Sequence, residues 1–167
     1  MSRAFVKEPE GDNVVLDRPL RQHSDLPNYI TARGLEVLGQ KIAELESQRN
    51  TCAGEKERLG KKADLQAMNE DLSFYRERLE RAIVVATPEP PWERVEFGAC
   101  LELLDENSNT HHFCIVGEDE IDVAAGRISW SSPLGRAVMG KAVGDVEIWQ
   151  RPAGDLEIEI VTINYQG

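Results

Sequence analysis

Apolar residues recur at intervals of three and four in two successive runs between residues 31 and 86. The first run consists of Leu35, Leu38, Ile42, Leu45, Cys52 and Leu59, and the second consists of Leu65, Met68, Leu72, Tyr75, Leu79 and Ala82. This spacing is typical of a coiled-coil seam, because such positions share one face of a helix. The pattern predicts two amphipathic helices, and Thr31 is a suitable N-cap for the first.

The two runs match each other in reverse order. Residues that would face one another in an antiparallel pair, such as Leu38 and Leu79, have position numbers with a constant sum. The turn then centres between Arg58 and Leu59. Charged residues occupy most positions outside the seam, which disfavours the alternative of a helical pair enclosed in a larger core. We therefore predict a projecting antiparallel coiled-coil hairpin over residues 29–86.

Beyond this hairpin the pattern changes to the period of two that is typical of strands. Three prolines within Thr87–Pro91 end the second helix, since proline cannot continue it. A short helix is expected to begin at Ser132 and Pro133, as cap and first helical residue, and to reach about Gly140. The strands are expected at residues 95–104, 110–117, 128–131, 145–151 and 156–165, with a hairpin turn at 152–155 between the last two.

These elements define an α+β fold, in which the hairpin precedes a small antiparallel sheet with one short helix. We expect four parts. Residues 1–28 form an extended or weakly ordered arm, residues 29–86 the hairpin, residues 87–94 a proline-rich joint, and residues 95–167 the sheet domain.

Charge is unevenly distributed along the chain. The 30 acidic and 19 basic residues give a formal net charge of −11, and residues 87–167 carry 15 of the acidic residues but only 5 of the basic ones. Such a surface repels phosphate groups, so strong direct binding to nucleic acid is not expected. The expected partner is a basic protein surface.

The three cysteines, Cys52, Cys100 and Cys114, are odd in number and form no Cys-x-x-Cys pair. We expect reduced thiols rather than a disulfide framework, and no metal site or cofactor. The N-terminus has no apolar core of signal-peptide length, and no apolar run approaches 18 residues. These observations favour a soluble cytoplasmic protein without membrane contact.

The sequence shows no set of residues typical of an enzyme. His111 and His112 are adjacent in a predicted strand, so their side chains point to opposite faces and cannot act on one substrate. His23 is isolated, and no glycine-rich phosphate loop follows a strand. We therefore expect a protein without an active site of its own.

A series of short motifs runs through the C-terminal half. In order, they are Phe97-Gly-Ala99, Ile115-Val-Gly-Glu-Asp-Glu120, Ile128-Ser-Trp-Ser-Ser-Pro-Leu-Gly-Arg-Ala137, Gly140-Lys141, Gly144-Asp145 and Pro152-Ala-Gly154. In this order they resemble the GreA/GreB family of bacterial transcription factors, over roughly residues 29–166. The resemblance implies an FKBP-like fold for the C-terminal domain.

The same resemblance implies a partner. Members of that family dock on RNA polymerase, at a coiled coil of its largest catalytic subunit, and insert the hairpin into the secondary channel. The corresponding docking residues here are Ser129, Trp130, Ser131, Pro133 and Leu134, and Trp130 is the candidate for an exposed interface anchor. Family members often have an acidic residue where this chain has Ser131. The alternative role for Ser132 and Pro133 is simply to start a helix.

The hairpin tip departs from the family pattern. Cleavage-stimulating members have a tip similar to Gly-Asp-x-x-Glu-Asn-Ala-Glu-Tyr, whose carboxylates help to hold a second magnesium ion. The tip expected here, at residues 56–62, instead carries the basic residues Lys56, Arg58, Lys61 and Lys62. Each arm is about one heptad shorter than in cleavage factors, which removes about 10 Å of reach.

The short hairpin is similar to that of the regulator of nucleoside diphosphate kinase, a shortened relative. These features favour a polymerase-binding regulator of transcription elongation that does not stimulate transcript cleavage. Two alternatives remain open. One is a true cleavage factor that uses carboxylates on the helix flanks, and the other, less favoured, is an FKBP-type prolyl isomerase.

Overall fold

The computed structural model describes residues 22–54 and 61–165, with backbone only at Gly54 and Lys61. The predicted turn between Arg58 and Leu59 lies outside the described residues. The described helices are α1 (Ala32–Gly54), α2 (Lys61–Glu80) and α3 (Pro133–Val138). The strands are β1 (Tyr29–Ile30), β2 (Ile83–Val84), β3 (Ala99–Asp105), β4 (Thr110–Val116), β5 (Arg127–Ser129), β6 (Val146–Trp149) and β7 (Leu156–Tyr165).

The two long helices form the predicted antiparallel pair. Strand β1, before α1, pairs in parallel with β2, after α2, so the hairpin begins and ends at the same place. The apolar contact between the helices is centred on Leu38, Ile42 and Leu72. Leu35, Leu45, Tyr75 and Ala82 pack around it, as the seam pattern predicts.

The seam prediction fails near the base of α2. The spacing places Leu79 in the seam, but Leu79 is 37% exposed, whereas the neighbouring Arg78 is only 4% exposed. The physical reason is that Arg78 bonds the buried Asn28 and two carboxylates of the C-terminal domain, described below. The spacing of apolar residues predicts that this arginine faces solvent, because the spacing contains no information about partners that are distant in sequence.

The five-stranded sheet has the strand order β5-β4-β3-β7-β6. The fold class is α+β as predicted, and the hairpin turn before β7 joins two antiparallel strands. The sheet is antiparallel, as predicted, at three of its four strand pairs, and it differs from the prediction at the fourth, because β4 and β5 are parallel. Residues 117–126 form two short 3-10 turns that return the chain to the second half of β4, where the Cys114 amide donates to the Gly126 carbonyl.

One face of this sheet carries the main hydrophobic core. Alternate residues of β3 and β7 point into the core, and α3 contributes Leu134 and Val138. Such alternation is expected of a sheet with one packed face. The buried core residues are Val95, Ala99, Leu101, Leu103, Ile115, Leu134, Val138, Leu156, Ile158, Ile160 and Ile163.

The expectation of three reduced thiols is wrong for two of them. Cys100 and Cys114 form a disulfide, and Cys52 is free. The two bonded residues lie directly opposite each other in the β3–β4 ladder, which brings their sulfur atoms together. The number of thiols therefore no longer argues for a reducing compartment. Within the described ranges, no helix is both long enough and apolar enough to cross a membrane.

Asp105 closes the turn between β3 and β4. Its carboxylate accepts hydrogen bonds from the Asn107 and Asn109 amides, at 2.9 and 2.8 Å, and lies 3.0 Å from His111 Nε2. The hydrogen bond with His111, followed by that from the Asn109 amide, holds the pKa of Asp105 well below its usual range. The turn therefore favours the ionised carboxylate.

We predict that Asp105→Asn lowers the free energy of unfolding at neutral pH. In the variant, that free energy should also change less as the pH falls. The pKa of Asp105 is lower in the folded chain than the value of about 3.9 in an unfolded chain. The stabilisation is thus complete above about pH 5 and is lost as the pH falls through and below about 4. Urea unfolding from pH 7 to pH 3 should show the difference in unfolding free energy between variant and parent shrinking with acid. A constant difference would contradict this role.

Candidate functional site

Residues 129–134, here named the serine loop, run from the last residue of β5 to the first turn of α3. The side chain of Ser129 is buried, and its Oγ lies 2.8 Å from Ser131 Oγ and accepts from the Ser131 amide at 3.1 Å. The Trp130 amide donates to the Val116 carbonyl at 3.0 Å, which ties the loop to β4. The loop is therefore held in one shape by hydrogen bonds of its own.

The second half of the serine loop starts α3, as predicted. Ser132 Oγ accepts from the Gly135 amide at 3.1 Å, and Pro133 is the first helical residue. A side chain at Gly135 would meet the loop backbone, since an added Cβ would lie 2.5 Å from the Ser129 carbonyl oxygen. Arg136 Nε donates to the Ser131 carbonyl at 2.6 Å. The helix start and the loop shape thus depend on each other.

The predicted docking residues differ in how accessible they are. Pro133 is exposed, and Ser131 is half-buried. Leu134 is 2% exposed and packs in the sheet core, so it anchors the loop from below instead of facing a partner. Trp130 is half-buried rather than exposed, because its ring packs edge-on against Tyr29 with 5.4 Å between centroids. The accessible surface of the loop is formed mainly by Pro133, together with the half-buried Ser131 and Ser132.

Tyr29 belongs to β1, so the contact with Trp130 links the serine loop to the base of the hairpin. Glu120 strengthens the same junction. Its carboxylate accepts from the Thr31 amide at 2.9 Å and from the Gly117 amide at 3.2 Å, and it also bonds the Thr31 hydroxyl. Thr31 Oγ1 in turn accepts from the Gly34 amide in the first turn of α1, consistent with its predicted capping role.

Arg78 forms the most buried polar contact of this junction. Its Nε donates to both carboxylate oxygens of Asp119, at 2.9 and 3.0 Å. Its Nη2 donates to Asn28 Oδ1 at 2.5 Å and to Glu118 at 3.3 Å, while Asn28 Nδ2 donates to the Arg78 carbonyl at 2.9 Å. The single Nε–H is thus shared between the two oxygens of Asp119, and a separate N–H donor of the same guanidinium serves Asn28 and Glu118.

Sequence reasoning missed this contact, although Glu118, Asp119 and Glu120 lie within a motif that it singled out. Nothing local shows that an acidic turn in the C-terminal domain meets an arginine 41 residues earlier. The structure thus places the serine loop, the acidic turn and the base of the hairpin in one continuous region.

Comparison with known proteins shows which proteins this chain resembles. A family model described as "Transcription elongation factor, GreA/GreB, C-term" matches residues 89–165. The transcription elongation factor GreB of Neisseria meningitidis serogroup B is 33% identical over 158 residues, which cover 85% of this chain and 96% of that protein. GreA of Beijerinckia indica is 33% identical over 166 residues, covering 97% and 98%. The chain belongs to the GreA/GreB family.

Solved structures include similar proteins. GreA factor homolog 1 of Thermus thermophilus aligns with 83% of this chain and 99% of its own, at 22% identity and a TM-score of 0.41. A GreA/GreB factor from Nitrosomonas europaea aligns with 82% of this chain and 98% of its own, at 25% identity and a TM-score of 0.42.

The hairpin tip, which in this family member is predicted to be basic, is described only in part. Lys56 and Arg58 lie outside the described residues, and of Lys61 only the backbone is described. Lys62 is exposed at the start of α2. Across residues 22–54 and 61–165, no group of three or more His, Cys, Asp or Glu residues is arranged to hold a metal ion.

The two adjacent histidines point to opposite faces of β4, as predicted. His112 is exposed, whereas His111 is half-buried beside Asp105 and stacks on Phe113. The role of His111 is therefore to support the β3–β4 turn.

Proposed function

We propose that this protein binds RNA polymerase and regulates transcription elongation, without an active site of its own. The observation that supports this most is similarity along the whole chain, at 33% identity, to proteins named as transcription elongation factors. The acidic C-terminal half is consistent with a basic protein surface as the binding site, because opposite charges steer association.

The proposed docking surface is the accessible part of the serine loop. Ser129 and Ser131 shape the loop from within, Leu134 fixes it to the core, and Pro133 presents an exposed apolar surface. A rigid loop loses little conformational entropy on binding, which favours affinity. Through this surface the protein would engage the coiled coil of the largest catalytic subunit and place its hairpin in the secondary channel.

The proposed regulator does not stimulate transcript cleavage. Magnesium prefers hard oxygen ligands, and the tip sequence from Lys56 to Lys62 holds four basic residues and one acidic residue. Acidic residues on the helix flanks are not grouped into a metal site within the described ranges. A basic tip repels the cation that the cleavage reaction requires.

Docking is tested by fluorescence anisotropy with core RNA polymerase. The double variant Ser129→Ala/Pro133→Ala is expected to bind about tenfold more weakly, equivalent to about 1.4 kcal/mol. The matched control is Ser108→Ala/Pro152→Ala, which changes the same residue types at exposed turn positions outside the hairpin and the serine loop and should bind like the parent. Equal affinity of parent and test variant would refute docking through the serine loop.

Cleavage is tested separately with backtracked elongation complexes. The protein alone is expected to leave the RNA length unchanged, and an excess of it should slow the cleavage stimulated by a GreA factor through competition for the same site. Shortening of the RNA by this protein alone would establish a true cleavage factor in its place.

A further inference from the structure

The sheet has a second face, and α3 does not cover it. Paired residues in neighbouring strands point to the same side, so the register defines a row of Val146, Glu159, Leu104 and Thr110 across four strands. The core residues Ile158, Ile160 and Leu103 alternate with this row and point to the opposite side. The row therefore lies on the outer face, away from the core.

Exposed aliphatic side chains gather on this face at its β6 edge. They are Val143, Val146, Ile148 and Val161, each between 37% and 54% exposed. Val146 and Ile148 are two residues apart on one strand, and Val161 is the extra residue of a β-bulge in β7. The Gly144 amide donates to the Ile160 carbonyl at 2.8 Å. Because Gly144 follows Val143 and Ile160 precedes Val161, this hydrogen bond brings the two valines near each other. We call these four residues the outer patch.

The outer patch is bordered by negative charge. Ile148 pairs with Glu157 and Val146 pairs with Glu159, and both glutamates are exposed. Within the described part of the chain, neither carboxylate forms an ion pair. The cations of this edge serve the other side of β6, where Lys141 pairs with Glu147 and Arg151 lies over the Trp149 ring.

Contiguous exposed aliphatic groups beside unpaired carboxylates are suited to one kind of partner. A partner must present an apolar surface to the outer patch. Beside that apolar surface it must carry lysine or arginine residues to pair with Glu157 and Glu159. An amphipathic helix with an apolar stripe and basic flanks supplies both, and a helix is the element that commonly covers an open sheet face. A second copy of this face is disfavoured as the partner, because its negatively charged glutamates would lie against Glu157 and Glu159 and repel them.

We propose that the outer patch, with Glu157 and Glu159, is a docking surface for a basic amphipathic helix of a protein partner. In the sheet order, β6 lies at the opposite edge from β5, which leads into the serine loop. Four strand spacings separate these edges, or about 19 Å. The two surfaces can thus be occupied together, and this proposal does not depend on docking through the serine loop.

The test uses the full chain labelled with 15N and a synthetic peptide of about five helical turns, with leucines in one stripe and lysines on both flanks. A scrambled peptide of the same composition is the control for non-specific charge attraction. Saturable binding is expected for the striped peptide alone, with chemical-shift changes confined to β6, β7 and the 143–145 turn. Equal binding of both peptides, or shifts elsewhere, would overturn the proposal.

Variants locate the contact. Val146→Ser/Ile148→Ser is expected to weaken striped-peptide binding about tenfold, and Glu157→Gln/Glu159→Gln to weaken it and reduce its salt dependence. The matched control is Val123→Ser, because Val123 is 75% exposed and lies outside the patch. Equal effects of the control and the patch variant would refute the site.

Polymerase binding distinguishes this surface from the serine loop. The patch variant should bind core polymerase like the parent if the two surfaces are separate. Loss of polymerase affinity would show that the patch belongs to the polymerase interface, and the proposal of a separate partner would then be wrong.

Discussion

Replacing Arg78 with methionine is expected to lower the free energy of unfolding by about 3–5 kcal/mol, the usual cost of removing one partner of a buried ion pair. Arg78 is 4% exposed, and the Asp119 side chain that it contacts through a bifurcated hydrogen bond is also largely buried. Methionine keeps much of the side-chain volume, so the loss comes from the stranded carboxylate and from Asn28 rather than from a cavity. Urea unfolding followed by circular dichroism measures the effect.

The matched control is Arg76→Met, two residues earlier in the same helix. Arg76 bonds Glu46 at 2.5 Å, but both side chains are well exposed, so the expected loss is below about 1 kcal/mol. Adding Asp119→Leu to Arg78→Met should recover part of the stability, because both buried charges are then absent. Equal losses for Arg76→Met and Arg78→Met would show that burial of this contact contributes nothing.

Replacing Gly117 with alanine is expected to cost about 3 kcal/mol, at the upper end of the usual range for overpacking. An added Cβ would lie 2.0 Å from the Tyr29 carbonyl oxygen. The φ of Gly117 is −74°, which any residue adopts, so the effect is steric and not conformational. Because the obstructing atom belongs to the backbone, rotation of a side chain cannot relieve the contact, and β1 must move away from the C-terminal domain.

Gly39→Ala provides the opposite result in the same molecule. Gly39 lies inside α1, and nothing lies within 4 Å of an added Cβ. Alanine should therefore raise the unfolding free energy by about 0.5–1 kcal/mol, through its better helix propensity. Hydrogen exchange provides a local measurement, because the Ile83 and Val85 amides donate to the Asn28 and Ile30 carbonyls on either side of Tyr29 and should lose protection only in Gly117→Ala. Unchanged protection at both amides would contradict the displacement of β1.

The features that could be predicted from the sequence are those determined by neighbouring residues. The repeat of apolar residues at intervals of three and four predicted both helices, and Ser132 and Pro133 predicted the start of α3. The strand pattern predicted β7 with both of its ends. These patterns arise because a helix or strand must turn one face to the core. Each of these patterns can be identified within one short stretch of sequence.

The missed features all depend on residues that are far apart in sequence. The direction of β5 depends on how residues 117–126 return, and the disulfide depends on the register between β3 and β4. Burial of Arg78 depends on an acidic turn in the other part of the chain. Similarity to a known family identified the serine loop, but only the structure shows that Leu134 is buried in it and that Trp130 packs against Tyr29.

Because the hairpin is long, a small rotation at its base displaces the far end of the helices by a large distance. Helix α1 has 23 residues and is therefore about 34 Å long. A tilt of about 10° at the base would carry its far end through about 6 Å, more than one turn of helix. The base is fixed by Arg78, Glu120 and the β1–β2 pair. These few contacts act as the fulcrum of a lever arm, so a small displacement among them is magnified at the far end of α1.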